Sequence, residues 1–163
     1  MQLGCFETNI LIMFWEEKID ILKSRFSQEQ FRVPFSDWHE IFEKIEAKYI
    51  RKESSHYQFQ NWSESLKEKI HIRNISSQDI DTEISKLDST QNYWVIIVFA
   101  DNPTSRQYIY DCSPEAITAI LSIAPADFYI GHKKYEWLIY CKVNRAENTI
   151  SLNKAKETLT PFD

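Results

Sequence analysis

The sequence predicts an α+β fold, in which N-terminal helices pack on a mainly antiparallel sheet of four to six strands. Apolar residues recur at helical spacing in about residues 1–90. Strand-forming runs separated by short polar turns occupy about residues 91–153. One helical segment lies between those runs, so we expect a helix inserted between two hairpins. The chain of 163 residues is predicted to form a single domain.

The first helix is predicted over residues 9–26, with Thr8 or Asn9 as its N-terminal cap. Its apolar side chains recur at steps of four, four, three and four and form one face: Leu11, Trp15, Ile19, Leu22 and Phe26. Residues 31–35 contain Pro34, which favours an extended conformation in the residue before it. We interpret these residues as a connector.

The second helix is predicted to begin at Ser36 or Asp37 and to continue to Tyr49. Its apolar stripe consists of Trp38, Ile41, Phe42, Ile45 and Tyr49. The other side carries acidic residues at steps of three: Asp37, Glu40, Glu43 and Glu46. This spacing predicts one acidic ridge along the helix. The ridge is either a solvated helix face or a surface that engages a basic partner.

Three shorter elements are predicted before the sheet. Residues 51–61, which include Tyr57, are interpreted as a loop, and residues 61–69 as a short helix with Trp62 on its apolar side. The alternation in residues 70–73 predicts a small edge strand. A further helix is predicted from Ser76 or Ser77 to Leu87. Acidic residues lie near its start, where the helix dipole favours negative charge: Asp79, Asp81 and Glu83.

The C-terminal part of the chain has the strongest strand signals. Residues 93–100 are all apolar or aromatic, as is typical of a strand buried on both faces. A polar turn then precedes residues 107–111, in which Tyr108 and Tyr110 are expected on one face and Ile109 on the other. The two runs therefore predict an antiparallel hairpin.

The inserted helix is predicted over residues 114–123, because Ser113 is a good cap and Pro114 fits the first helical position. Residues 127–130 and 135–143 then predict a second hairpin that turns around Gly131 and His132. Residues 149–152 predict a last short strand.

Composition and charge exclude several classes of function. The net charge is −5, so the basic footprint expected for binding nucleic acid or an anionic membrane is missing. Only two glycines occur, whereas phosphate-binding loops need several. The N-terminus lacks the pattern of a signal peptide, and no apolar run is long enough to span a bilayer. Three unpaired cysteines are typical of a reduced protein in the cytoplasm.

No motif in the sequence predicts a metal site, a cofactor or a catalytic nucleophile. The four histidines show no zinc-ligand spacing with one another or with cysteine. Cys112 precedes a helix whose dipole would lower its pKa, and Asp111 and His132 are its conceivable partners. Cys112 and Cys141 are also a conceivable redox pair. We favour the alternative, in which both cysteines are small buried residues.

The aromatic content of 14% is high, and many rings lie on neighbouring predicted strands. Tyr108, Tyr129 and Trp137 either face the helices or form an exposed face that binds a protein. A small enzyme or ligand-binding domain with a pocket on this aromatic face is the alternative function that we keep open.

The hairpin segment at residues 127–138 contains Phe128-Tyr129-Ile130 and Lys133 to Leu138, and it follows the helix that begins after Ser113. The segment resembles the end of a family of small uncharacterised bacterial proteins with a FYI-x-x-KKYEWL hairpin. The resemblance covers roughly residues 92–140 and brings no known catalytic residue. Such proteins are similar to immunity proteins that neutralise toxins of rival bacteria, including the SMI1/KNR4-like group.

These observations predict a non-enzymatic protein-binding module, most specifically an immunity protein that binds a cognate toxin. We expect its partner to be a basic toxin domain, attracted by charge and held by aromatic anchors. The predicted contact residues are Asp37, Glu40, Glu43, Glu46, Tyr57, Trp62, Asp79, Asp81 and Glu83.

Overall fold

The computed structural model describes residues 14–33, 38–51, 59–99, 108–124 and 126–163. Within these residues, four α-helices and two short 3₁₀ helices cover a sheet of seven antiparallel strands. This arrangement confirms the predicted α+β class.

The sheet draws its strands from both halves of the chain. They are β1 (Phe31–Arg32), β2 (Ile70–Ser76), β3 (Tyr93–Val98), β4 (Tyr108–Cys112), β5 (Asp127–His132), β6 (Leu138–Asn144) and β7 (Thr149–Lys154). Their order across the sheet is β1-β4-β3-β5-β6-β7-β2, and every neighbouring pair is antiparallel. The two edge strands, β1 and β2, therefore come from the N-terminal half.

The helices lie on both faces of the sheet. They are α1 (residues 14–23), α2 (Trp38–Tyr49), α3 (Ile80–Ile84) and α4 (Pro114–Ile123), with 3₁₀ helices at Phe59–Glu64 and Ser77–Asp79. We call the sheet face covered by α1, α3 and α4 the first face. The second face is covered by α2 and by the 3₁₀ helix that contains Trp62.

The two cores explain why β3 is apolar throughout. Tyr93, Val95 and Ile97 pack in the core of the first face. Trp94 and Ile96, which alternate with them, pack in the core of the second face. Because side chains alternate across a strand, a sheet covered on both faces needs apolar residues at every position. The continuous run at residues 93–98 is the sequence signal of this three-layer arrangement.

Several predicted elements are confirmed with close boundaries. The inserted helix α4 covers the predicted residues, and the Ser113 hydroxyl accepts a hydrogen bond from the Ala116 amide at 3.3 Å. The β3–β4 pair is antiparallel as predicted, with Val95 opposite Tyr110. The predicted strand at residues 70–73 is an edge strand and extends to Ser76.

Two predictions near the sheet edges are wrong. The connector predicted at residues 31–35 contains β1, where Phe31 pairs with Cys112 and Arg32 pairs with Asp111. Two residues are too few to show a period, so only the sheet edge next to β4 determines this strand. The helix predicted to reach Leu87 is also shorter, because α3 ends at Ile84.

The second hairpin turns later than predicted. Gly131 and His132 belong to β5, and residues 133–136 form the turn, in which Tyr135 has a φ of 59°. Gly131 lies opposite Trp94 in the β3–β5 pair. A Cβ there would lie 3.7 Å from Trp94 Cβ and 3.5 Å from Leu138 Cδ1. These are ordinary van der Waals distances and the φ of Gly131 is not positive, so neither the turn nor the packing of Trp94 requires a glycine here.

Candidate functional site

The aromatic side chains of the strands belong to the cores. Each is at most 6% exposed: Tyr108, Tyr110, Tyr129, Trp137 and Tyr140. Helices cover both faces of the sheet at these positions. These rings therefore supply packing area to the cores.

The prediction that Trp62 is a surface residue that contacts a partner is wrong. Its side chain is fully buried, and its ring lies 5.0 Å from that of Phe42 and 5.7 Å from that of Tyr129, centroid to centroid. The short 3₁₀ helix places it between α2 and the sheet. Tyr57 and Asp37, which were also predicted contact residues, lie outside the described residues.

The predicted acidic residues occupy two sides of the molecule. Glu40, Glu43 and Glu46 are on α2, which packs on the second face. Asp79 directly precedes α3 and Asp81 lies within it, and α3 packs on the first face. The sheet lies between the two sets, so they do not form one continuous surface.

The α2 acids are interspersed with basic residues. Glu40 forms an ion pair of 2.8 Å with Lys44, and this hydrogen bond lowers the pKa of Glu40. Glu43 is exposed and Glu46 is partly exposed. Lys48 follows one turn after Lys44, so the charge along this side of α2 is mixed.

Glu83 is a structural residue, which corrects its predicted role in binding. It is 7% exposed, and its Oε2 accepts hydrogen bonds from the guanidinium of Arg73 and from the Lys86 ammonium. Arg73 also donates to the Phe162 carbonyl at 2.7 Å. Glu83 thus connects β2, α3 and the C-terminal segment, and its carboxylate is not available to a partner.

The clearest acidic surface comprises residues 77–88, which we call the acidic segment. It contains the carboxylates of Asp79, Asp81, Glu83 and Asp88 and one basic residue, Lys86. Lys86 is already paired with Glu83. Asp79, Asp81 and Asp88 are exposed, and hydrogen bonds from Thr90 lower the pKa of Asp88. Three carboxylates therefore face solvent within one short segment.

The two conceivable partners of a Cys112 nucleophile, Asp111 and His132, do not lie beside its thiol. Cys112 is fully buried in the core of the first face, and burial raises the pKa of its thiol well above the ordinary value. Asp111 lies on the opposite face of β4. Tyr93 stands between Cys112 and His132, because it pairs with Cys112 on one side and with His132 on the other. The thiol is thus neither activated nor accessible.

The conceivable redox pair of Cys112 and Cys141 is excluded by the strand order. Cys112 is on β4 and Cys141 is on β6, with β3 and β5 between them. Three strand spacings correspond to about 14 Å. A disulfide needs Cα atoms within about 7 Å. Both thiols are therefore buried apolar groups of the first core.

A hydroxyl–imidazole contact that the sequence did not suggest joins β2 and β7. Ser151 Oγ lies 3.2 Å from His71 Nδ1, which is also 3.3 Å from Asn153 Oδ1. Asn153 donates its amide hydrogens to the Tyr140 and Ser151 carbonyls. Its Oδ1 therefore accepts a hydrogen from Nδ1, and that nitrogen does not take the serine proton. We interpret this network as structural.

A second unexpected cluster lies on the second face where β4, β3 and β5 run side by side. Asp111 pairs with Trp94, and Trp94 pairs with Gly131. Asp111 is 7% exposed. Its Oδ2 accepts a hydrogen bond of 2.5 Å from the Lys133 ammonium, which also lies 3.7 Å from the centroid of a Trp94 ring. We call Trp94, Asp111 and Lys133 the Asp111 site.

The turn that carries Lys133 is fixed to α2. The Tyr135 carbonyl accepts hydrogen bonds from Lys48 Nζ at 2.5 Å and from the Tyr49 hydroxyl at 2.6 Å. Burial raises the pKa of Tyr135, and the nearby Lys44 ammonium opposes that rise. These contacts hold the turn beside the Asp111 site.

A surface groove of about 530 Å³ adjoins the Asp111 site. Its lining consists of Gln91, Asn92, His132, Lys133, Lys134 and Glu136. Asn92 is held in place by a hydrogen bond of 2.6 Å from its side chain to the Glu29 carbonyl. The groove therefore opens beside Lys133, between the start of β3 and the β5–β6 turn.

Two absences apply to the described residues alone. No group of three or more histidine, cysteine, aspartate or glutamate side chains among them is arranged to hold a metal ion. No helix in the described part of the chain is long and apolar enough to cross a membrane.

Comparison with known proteins gives one family. A family of unknown function, DUF6756, matches residues 13–160. The chain belongs to the DUF6756 family. The match extends over the acidic segment and the Asp111 site of this DUF6756 protein. It does not bear on the resemblance to immunity proteins, which stays a prediction. No curated protein and no solved structure matches the chain.

The Asp111 site was not predicted, although the sequence contains one signal of it. Asp111 interrupts a strand that is otherwise aromatic or apolar, and a buried carboxylate needs a partner. The partner, Lys133, is 22 positions away and comes from a turn. Only the strand order brings the two together.

Proposed function

We propose that this DUF6756 protein is a non-enzymatic binding module of bacteria, an immunity protein that binds and neutralises a cognate toxin in the cytoplasm. The acidic segment carries the proposal, because Asp79, Asp81 and Asp88 are exposed and the only ammonium of the segment is paired with Glu83. The toxin as the kind of partner is supported by the resemblance of the hairpin at residues 127–138 to a family of small bacterial proteins that are in turn similar to immunity proteins.

The acidic segment acts through long-range attraction. Exposed carboxylates on one side of the molecule raise the rate at which a basic toxin domain meets that side in a suitable orientation. Neutralisation follows from covering the toxin's surface and requires no bond to be made or broken. The mechanism therefore depends on charge and shape at the first face.

Two exposed apolar side chains of α1 supply the contact area that Trp62 does not. Phe14 is 55% exposed and Ile21 is 60% exposed, although their neighbours Trp15 and Leu22 are buried. Seven residues correspond to two helical turns, so Phe14 and Ile21 lie above one another on the outer side of α1. Both helices pack on the first face, α1 beside β4 and α3 beside β2, so we propose a partner surface that extends along this face from these anchors to the acidic segment.

A growth assay tests this function. The C-terminal domain of the protein encoded directly upstream is produced in a bacterial host together with this chain. We expect the domain alone to stop growth and the chain to restore it. We expect the double variant Asp79→Lys/Asp81→Lys to lose most of this protection.

The matched control reverses two charges on the opposite side of the molecule. Glu40→Lys/Glu43→Lys on α2 should keep full protection, because α2 packs on the second face. Thermal unfolding of each purified variant confirms that it is folded. An upstream domain that leaves growth unaffected, or growth that the chain fails to restore, would contradict the proposed function.

A further inference from the structure

The Asp111 carboxylate is only half satisfied. Its Oδ2 is paired with Lys133, but Oδ1 is buried and has no hydrogen-bond partner among the described residues. Arg32 is its neighbour on β1, yet the Arg32 Nε donates instead to the Gln28 carbonyl at 3.1 Å. Burying an acceptor without a donor costs free energy, so Oδ1 can still accept a hydrogen bond from one more donor.

The Trp94 ring provides the second half of a cation site. A Lys133 ammonium 3.7 Å from the ring centroid is in the range of a strong cation–π contact. The carboxylate and the indole face are cross-strand neighbours, and together they bind one cation. In the free protein that cation is the chain's own lysine.

A guanidinium group fits this pair better than an ammonium group. Its planar fork donates two parallel hydrogen bonds, so it can satisfy both oxygens of one carboxylate. Its flat face also stacks on an aromatic ring. A lysine ammonium is a compact point charge, and here it reaches only Oδ2.

The site has an entrance. The Lys133 side chain is 34% exposed and lines the groove of about 530 Å³. The amides of Gln91 and Asn92 and the carboxylate of Glu136 line the same groove and offer acceptors to an approaching donor. Lys133 contacts both the Asp111 carboxylate and the Trp94 ring, so its movement would open a path from the groove to this pair.

We propose that Asp111 and Trp94 form a recognition pocket for an arginine side chain, and that Lys133 occupies this pocket until an arginine displaces it. The pocket is on the second face, whereas the acidic segment is on the first face. It is therefore a second recognition site, and its existence does not depend on the proposed toxin-binding function.

Nuclear magnetic resonance of the Trp94 indole group tests the pocket in the intact chain. The Trp94→Phe variant assigns the signal among the five tryptophans. The probes are methylguanidinium, which represents a free guanidino compound, and N-acetyl-arginine methylamide, which represents an arginine in a polypeptide. We expect both probes to shift the Trp94 signal of the wild-type protein saturably.

Three variants test whether the shift of the Trp94 signal arises from a probe bound between Asp111 and Trp94. Lys133→Met keeps the hydrocarbon stem and removes the competing ammonium, so both probes should bind at least about tenfold more tightly. Asp111→Asn should abolish the response. Lys142→Met, the same change at an exposed lysine on β6 that does not line the groove, should leave the wild-type response unchanged.

Three results would overturn the proposal. If the probes shift the Trp94 signal of Lys133→Met but not that of the wild-type protein, Lys133 is a permanent structural partner of Asp111 and is not displaced by arginine. If methylguanidinium binds and N-acetyl-arginine methylamide does not, the pocket does not accept the side chain of an arginine in a polypeptide. An undiminished shift in folded Asp111→Asn would place the bound probe elsewhere.

Discussion

Glu83 and Asp81 are two positions apart, but their environments give them different roles. Glu83 points into the contact between α3 and β2 and receives Arg73 and Lys86, whereas Asp81 is exposed. Both residue types carry the same charge, so sequence alone cannot separate them. The difference depends on which side of a helix of five residues meets the sheet.

Replacement of Glu83 should therefore affect folding, and replacement of Asp81 should not. We expect Glu83→Gln to lower the free energy of unfolding by about 3 kcal/mol, because the Arg73 guanidinium loses its charged partner in a largely buried contact. Asp81→Asn is the matched control and should change stability by less than about 0.5 kcal/mol. Urea unfolding at neutral pH measures both. Equal effects would contradict the structural role of Glu83.

Tyr49 provides a second test at the scale of one residue. Burial raises its pKa to about 12, and the negative charge of Glu136 adds to this rise. The unfolded chain releases this proton near pH 10. Between these values the folded protein binds more protons than the unfolded chain, so the free energy of unfolding falls as the pH rises from about 10 to about 12.

Tyr49→Phe should reduce this dependence on pH. At pH 8 the variant should be about 1 kcal/mol less stable, because the hydrogen bond to the Tyr135 carbonyl is lost. Its loss of stability between pH 10 and pH 12 should be smaller than that of the wild-type protein. Urea unfolding at a series of pH values gives both quantities. A wild-type slope retained in the variant would show that Tyr49 does not cause it.

At the scale of elements, α4 shows what local sequence determines. Its start depends on neighbours within four positions: Ser113 caps the Ala116 amide and Pro114 occupies the first turn. We expect Ser113→Ala to cost about 1 kcal/mol of stability. Ser122→Ala near the other end removes an exposed hydroxyl and its solvent-accessible hydrogen bond to the Ala119 carbonyl, and should cost less than about 0.5 kcal/mol. Thermal unfolding compares the two, and a similar loss in both would argue against the cap.

The sequence did not predict the elements whose positions depend on residues far away in the chain. The run at residues 93–98 predicts β3 because its composition alone indicates a buried strand. Strand β1 has only two residues and exists because β4 offers an unpaired edge. The turn after β5 lies at residues 133–136 and not at Gly131, and its Tyr135 carbonyl accepts hydrogen bonds from Lys48 and Tyr49 of α2. Local signals therefore determine the long strands and α4, and tertiary contacts determine the edges and the turn.

At the scale of the whole molecule, the sheet determines which charges act together. Glu40 and Glu43 precede Asp79 and Asp81 in one acidic half of the sequence, yet they lie over opposite faces of the sheet. The strand order, with β2 and β1 at opposite edges, is not visible in composition or period. The sequence thus identified the acidic residues that were candidates for the contact surface. It did not show which of them lie on the same side of the molecule.

The association rate with the proposed partner, the C-terminal domain of the protein encoded directly upstream, tests the central claim most directly. Stopped-flow measurements compare the wild-type chain with Asp79→Lys/Asp81→Lys and with Glu40→Lys/Glu43→Lys at low and high ionic strength. We predict that the first variant associates roughly tenfold more slowly at low ionic strength and that high salt removes the difference, because salt screens exposed charges. The α2 variant should associate at the wild-type rate. A wild-type rate for Asp79→Lys/Asp81→Lys, or an equal slowing by the α2 variant, would contradict the acidic segment as the surface that attracts the partner.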